Sequence, residues 1–211
     1  MDVWILKETC IDRDYETHGA KIGDGWTVID IGAGLGDFAV MTAKEHPTCR
    51  VVAFEPFPES FKLLEQNIQL NRVENVTALP IAIGSKSGSL TLSTTGEAVQ
   101  HTTTESVVSG AASSTITVES LSLDDALQRC EIDRCDFLKM DCEGSEFDIL
   151  LNTNPATLQR IKRICLEYHD GFTRFTHSDL KNFLEQHGYK VKTSANPVHN
   201  FLGFLYAVRD Y

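Results

Sequence analysis

The chain has 211 residues, of which 42% are hydrophobic and 23% charged, and its net charge is −11; this is the balance of one ordinary globular domain with a sizeable core. So acidic a chain repels phosphate backbones, which argues against a nucleic-acid partner, and no apolar run approaches the ~18 residues of a membrane span. The six cysteines are scattered, and only Cys130 and Cys135 lie close together; without a CxxC or a second pair they make neither a disulfide framework nor a zinc site.

Met1 to Ala20 hold several charges and no long apolar block, so a secretory leader is not expected and a cytoplasmic location is. The run Thr27-Val-Ile-Asp-Ile31 is β-branched and apolar and breaks at glycines, the pattern of a buried strand before a tight turn. Asp37 to Lys44 reads as the following helix and Arg50 to Phe54 as the second strand. Ser60 to Leu70 reads as a helix with Phe61, Leu64 and Ile68 on one face. Asn75 to Ile83 gives a third strand, Gly84 to Gly88 a polar turn, and Ser89 to Leu92 an alternating edge strand. Ser93 to Thr117 holds 12 Ser or Thr among 25 residues; with few large apolar anchors it reads as a long loop or loose hairpin, a candidate lid.

Ser122 and Asp125 form a box-like start for a short helix through Leu127. Asp136 to Met140 is the fourth strand, ending at Asp141, and Ser145 opens a helix through Leu151. Ile161 to Glu167 is the fifth strand. Thr176 or Ser178 starts a helix with Leu180, Phe183 and Leu184 on one face, and Gly188 ends it. Tyr189 to Thr193 and Gly203 to Arg209 close the chain as two strands. Strands alternating with helices describe a parallel sheet. One domain over 1–211 is expected, with 1–25 a lead-in and 93–117 an insertion.

The strongest local feature is Val28-Ile-Asp-Ile-Gly-Ala-Gly-Leu-Gly36. A strand ends in Gly32, Gly34 and Gly36 and a helix follows, so the backbone can approach a ligand closely and offer free N–H groups. Nineteen residues past Gly36 the second strand ends at Glu55, where a carboxylate can accept bonds from ribose hydroxyls. The nicotinamide fingerprint GxGxxG would need a glycine at position 37, where Asp37 stands. The pattern here is DxGxGxG, and the charge of Asp30 suits the amino group of methionine better than a pyrophosphate.

These residues resemble motif I and the acidic loop of class I S-adenosylmethionine-dependent methyltransferases. Phe54-Glu-Pro-Phe-Pro58, Phe61-x-x-Leu64-x-x-Asn67 with Asn71, and Phe137-Leu-Lys-Met-Asp-Cys-Glu-Gly-Ser-Glu146 are similar to the FkbM-type family, whose hallmark reads "LKIDVEGAE". Pro80-Ile-Ala-Ile-Gly84 and Glu167-Tyr-His169 agree as well, and the resemblance runs from about residue 26 to residue 190. Two departures are Ala33-Gly34-Leu35, where the family reads closer to "DIGANIG", and Cys142, where valine is common. The resemblance implies an α/β, Rossmann-like class I methyltransferase fold: a seven-stranded, mostly parallel sheet, the last strand antiparallel, helices on both faces. It further implies methyl transfer to hydroxyl oxygen on sugars, polyketides or other small molecules. S-adenosylmethionine is then the expected cofactor, bound by Asp30, Gly32, Gly34, Gly36 and Glu55, with Phe57 and Ile83 as adenine walls.

An alcohol acceptor must lose its proton at or before attack. Candidates stand where strands four and five end: Asp141, Glu143 and Glu146, then Glu167, His169 and Asp170. His169 is expected to be the base, because an imidazole titrates nearest neutrality, at ~6.5, with Asp141 orienting it and Glu143 beside them. The bland alternatives are that Glu146 complements a helix dipole, Glu143 holds a tight turn and Lys139 only pairs with a carboxylate. No spacing specifies a metal site; a rival arrangement puts Asp141 with Glu167 or Asp170 on a divalent ion. Other classes on the same scaffold are a nicotinamide oxidoreductase, an aminopropyltransferase or a non-catalytic binding module.

Overall fold

The computed structural model describes residues 7–94 and 114–210. At its centre is β1 (Thr27–Ile31), flanked in parallel by β2 (Arg50–Phe54) and β7 (Phe137–Met140). Side chains alternate across a strand: Val28, Val51, Ala53 and Phe137 join one buried cluster, and Ile29, Val52, Phe54, Leu138 and Met140 the other. Both faces are therefore covered, which is why these strands are apolar throughout rather than alternating. The sheet is completed by β3 (Val76–Leu79), β8 (Arg163–His169), β9 (Lys190–Ala195) and β10 (Leu202–Val208), in the order β3-β2-β1-β7-β8-β10-β9. β10 lies between β8 and β9 and runs antiparallel to both. This is the seven-stranded sheet with an antiparallel last strand that the family resemblance implies.

Helices α2 (Asp37–Glu45) and α3 (Pro58–Asn71) cover the Val28 face through Phe38, Ala39, Ala43 and Leu64. α3 opens two residues earlier than periodicity predicts, because Pro58 has a preset φ and loses no helical bond in the first turn. The Ile29 face is covered by α4 (Leu123–Arg129), α5 (Glu146–Leu151) and α7 (His177–Gln186), through Leu127, Phe147, Leu150, Leu180 and Leu184. α7 begins at a capping box between Thr176 and Asp179, and the single turn α6 (Pro155–Leu158) precedes β8. Among the described residues no helix is long and apolar enough to cross a membrane.

Three segments differ from the sequence reading. The strand expected over 75–83 is two strands, β3 and β4 (Ala82–Gly84), in different sheets. Pro80 separates them, since it has no N–H to give a ladder. β4 pairs in parallel with β6 (Ser114–Ser122), which pairs antiparallel with β5 (Gly88–Thr94). The Ser/Thr-rich segment is thus partly strand at both of its ends, and its central residues 95–113, the candidate lid, lie outside the described residues. The lead-in folds back onto the sheet: after a π-helical turn over Lys7–Asp12, α1 (Asp14–His18) sets the Tyr15 ring edge-on to Phe38 at 5.6 Å and to Phe204 at 5.5 Å.

Candidate functional site

The glycine turn is held against the end of β2. Gly32 and Ala33 both donate their N–H to the Phe54 carbonyl, at 3.1 and 3.0 Å, which brings the next residue, Glu55, beside the turn. Gly34 donates its N–H to Glu55 Oε2 at 2.7 Å and Phe57 to Oε1 at 2.9 Å. The carboxylate is buried, and burial pushes it up to about 7 although the two amides favour its charged form. A left-handed φ of +73° admits Gly32, where a Cβ would lie 1.8 Å from the Asp141 carbonyl oxygen. Gly34, at φ +54°, has nothing within 4 Å of the Cβ position: it is backbone exposed to a cavity.

That cavity measures about 350 Å³ and opens over the carboxyl ends of β1, β2, β7 and β8, within the size range of small-molecule sites. Gly32, Gly34, Glu55, Phe57, Ile83, Asp141 and Glu143 all line it. Asp30, Gly36 and His169 do not. Asp30 is fully buried with its Oδ1 3.0 Å from Lys139 Nζ, which also donates to the Gly32 carbonyl at 2.8 Å. Asp30, Asp141 and Asp37 outweigh burial and hold the Lys139 ammonium well above its usual range. Lys139 thus pairs with a nearby carboxylate, and Asp30 stands behind the cavity wall rather than in its lining. Gly36 is the N-cap of α2 at φ +83°, and a Cβ there would strike Leu64; its role is to turn the chain into the helix.

At the other end, Asp141, Glu167 and His169 converge, each with one ligand-type atom within 4.8 Å of the others, because β7 and β8 are neighbours. Glu143 and Gly144 both take positive φ, +51° and +100°, rare for a glutamate. The turn is pinned from within: Cys142 and Gly144 donate their N–H to Glu146 Oε1 and Oε2 at 2.6 and 2.9 Å. Glu146 is completely buried, so its work is holding this turn rather than balancing a dipole. His169 stands between two carboxylates, with Nε2 3.5 Å from Glu143 Oε2 and Nδ1 3.4 Å from Glu146 Oε1. Burial alone would lower the imidazole, but Glu146, Asp141 and Glu143 overcome it and raise it to about 9. That upward shift works against the base expected of His169, because a base must be neutral to accept a proton. Burial and Asp141 raise Glu143 to about 7 and Glu167 to about 8. Asp170 is not part of this group: its carboxylate takes the His177 N–H at 2.7 Å and meets His177 Nδ1 at 2.6 Å.

Sequence reasoning missed the lead-in and the final hairpin as parts of the site. Glu8, Thr9, Asp14 and Tyr15 line the cavity, as do Asn196 and Phe204, and the Tyr15 hydroxyl donates to Asp141 Oδ2 at 2.8 Å. No periodic or spacing signal marks these positions, because their nearness is created by the return of the chain across the sheet edge.

Comparison with known proteins agrees with this geometry. Residues 30–191 match the methyltransferase FkbM domain model. The chain is 27% identical to the 31-O-demethyl-FK506 methyltransferase FkbM of Streptomyces tacrolimicus over 92% of its own length and 84% of that protein. It is also 27% identical, over 89% of its length, to the AMB antimetabolite synthetase AmbE of Pseudomonas aeruginosa, of which it spans only 10%. Among solved structures it shares its fold with the methyltransferase FkbM of Methylobacillus flagellatus, at TM-score 0.64 and 17% identity over 89% of this chain and 44% of that one. With the domain model matched over most of its length, the chain belongs to the FkbM methyltransferase family.

Proposed function

We propose that the protein transfers a methyl group from S-adenosylmethionine to a hydroxyl oxygen of a small molecule or glycan. The observation that carries this reading is the meeting of the open Gly34 backbone and the Glu55 carboxylate in one cavity. The residues fit the cofactor. Glu55, already oriented by two amides, keeps lone pairs for the two ribose hydroxyls. Phe57 and Ile83 are apolar walls suited to adenine, and a substituent on Gly34 would fill the space in which the cofactor would lie. With Asp30 committed to Lys139, the lining carboxylate Asp37 at the start of α2 is the residue placed to face the methionine ammonium.

When bound, S-adenosylmethionine supplies the methyl carbon activated as a sulfonium. The chain must place the acceptor oxygen, exclude water and take the hydroxyl proton. Glu143 is the proton acceptor we favour: it lines the cavity on a turn held by the Glu146 carboxylate. The Streptomyces relative is a 31-O-demethyl-FK506 methyltransferase, which supports a hydroxyl on a small molecule. The chain's net charge of −11 and the acids around the cavity disfavour a nucleic-acid acceptor.

The test is calorimetry with S-adenosylmethionine and with NAD⁺, followed by a methyl-transfer assay over a panel of hydroxylated metabolites and glycans. Binding of NAD⁺ in place of S-adenosylmethionine would remove the cofactor assignment, and turnover on nitrogen acceptors alone would remove the hydroxyl. Glu143→Gln is expected to lower kcat by roughly 10²-fold or more while the cofactor Kd stays within twofold of the parent (about 0.4 kcal/mol).

A further inference from the structure

We infer that Asp141, Glu167 and His169 form a binding site for one divalent cation of the Mg²⁺ or Mn²⁺ class, at the acceptor end of the cavity. The three come from two adjacent strand ends, and each offers one oxygen or nitrogen within 4.8 Å of the others. Around an octahedral ion with ligands near 2.1 Å, neighbouring ligand atoms are about 3 Å apart and opposite ones about 4 Å. Small side-chain rotations therefore close the site without moving the strands. Two carboxylates and one imidazole are hard to borderline donors, and three protein ligands leave positions open.

A second observation separates this group from an ordinary acidic cluster. His169 is only 5% exposed, and its Nδ1 makes no regular hydrogen bond. That nitrogen faces Glu146, while Nε2 faces Glu143 on the cavity wall. A buried carboxylate behind an imidazole is the arrangement that orients a metal-ligating histidine through its other nitrogen. Glu146 is itself fixed by two backbone amides. Asp141 is supported in the same way, by the Tyr15 hydroxyl at 2.8 Å. Charge points in the same direction. Asp14, Asp37, Glu55, Asp141, Glu143 and Glu167 line the cavity against one ammonium, Lys139, which Asp30 already neutralises. A divalent ion would add positive charge to this acidic lining.

Such an ion would draw an acceptor hydroxyl into position and lower its pKa. That use rests on the methyl-transfer reading, whereas occupancy of the site does not. The test is a titration of the whole chain with Mn²⁺, following the free ion by paramagnetic resonance, alongside calorimetry with S-adenosylmethionine. One saturable site per chain is expected, weakened by at least ~10-fold in Asp141→Asn and in Glu167→Gln, with unchanged far-UV circular dichroism. His169→Gln replaces either variant if it does not fold. Absence of a saturable site in the parent chain overturns the inference, and so does a site that the folded variants retain at full affinity. If Mn²⁺ binds as expected and S-adenosylmethionine does not, the cofactor reading falls and the cation site stands; the reverse outcome leaves methyl transfer and removes the ion.

Discussion

Two forces oppose each other at Glu55. Burial raises it to about 7, and amide bonds from Phe57 and Gly34 pull it down. Ribose hydroxyls donate to the ionised form, so cofactor affinity should rise about tenfold per pH unit below 7 and level off above it. Calorimetry over pH 5–9 reads this, and Glu55→Gln should bind at least ~10-fold more weakly with a flat profile. The sign for stability is opposite. The folded value lies above the ordinary 4.5, so the stabilising contribution of the protonated group is present below about 4.5 and is lost as pH rises through 7. The Lys139–Asp30 pair behaves differently. Asp30→Asn leaves a buried ammonium facing a neutral amide and should cost about 3–5 kcal/mol in urea unfolding. Lys139→Met added to it should recover much of the loss.

At the scale of elements, the turn between β7 and α5 decides the acceptor end. Glu146 satisfies two backbone N–H groups from inside the helix that follows them. Glu146→Ala strands both, and each unsatisfied buried donor costs about 1–3 kcal/mol. We expect a chemical-denaturation loss of at least ~2 kcal/mol and a lower kcat, with cofactor affinity little changed because Glu55 lies at the opposite end. The segments hardest to read from sequence are also elements. Asn75 to Ile83 looks like one strand because its apolar content is continuous, and only the missing N–H of Pro80 divides it between two sheets. Ser114–Ser122 is a nine-residue strand hidden by serine and threonine; pairing with β4 and β5, not hydrophobic periodicity, makes it one.

For the molecule as a whole, cofactor binding should appear as stability. A ligand that binds only the folded state at 100 times its Kd contributes about 2.7 kcal/mol, which raises Tm by roughly 5–10 °C for a chain of this size. Thermal unfolding with S-adenosylmethionine should show this shift, and Glu55→Gln should show about half of it or less at the same concentration. No shift would mean that the cavity over β1 and β2 does not hold the cofactor.

Much of the site was legible because its signals are local. Glycines at 32, 34 and 36, and an acid at the end of the next strand, announce a ligand-binding turn, since glycine takes those φ values most readily and parallel strands set their ends side by side. The family resemblance rests on the same contiguous runs, and it carried with it the seven-stranded sheet and its antiparallel last strand. What sequence could not decide is which charges meet. His169 looked like a base, and only the tertiary structure sets it between Glu143 and Glu146, which raise its pKa. Asp30 looked like a ligand group until β1 and β7 paired it opposite Lys139. Tyr15, 126 residues from Asp141 along the chain, reaches it only through the return of the lead-in across the sheet. Backbone conformation is written residue by residue, whereas a protonation state belongs to whatever the tertiary fold places within a few ångströms.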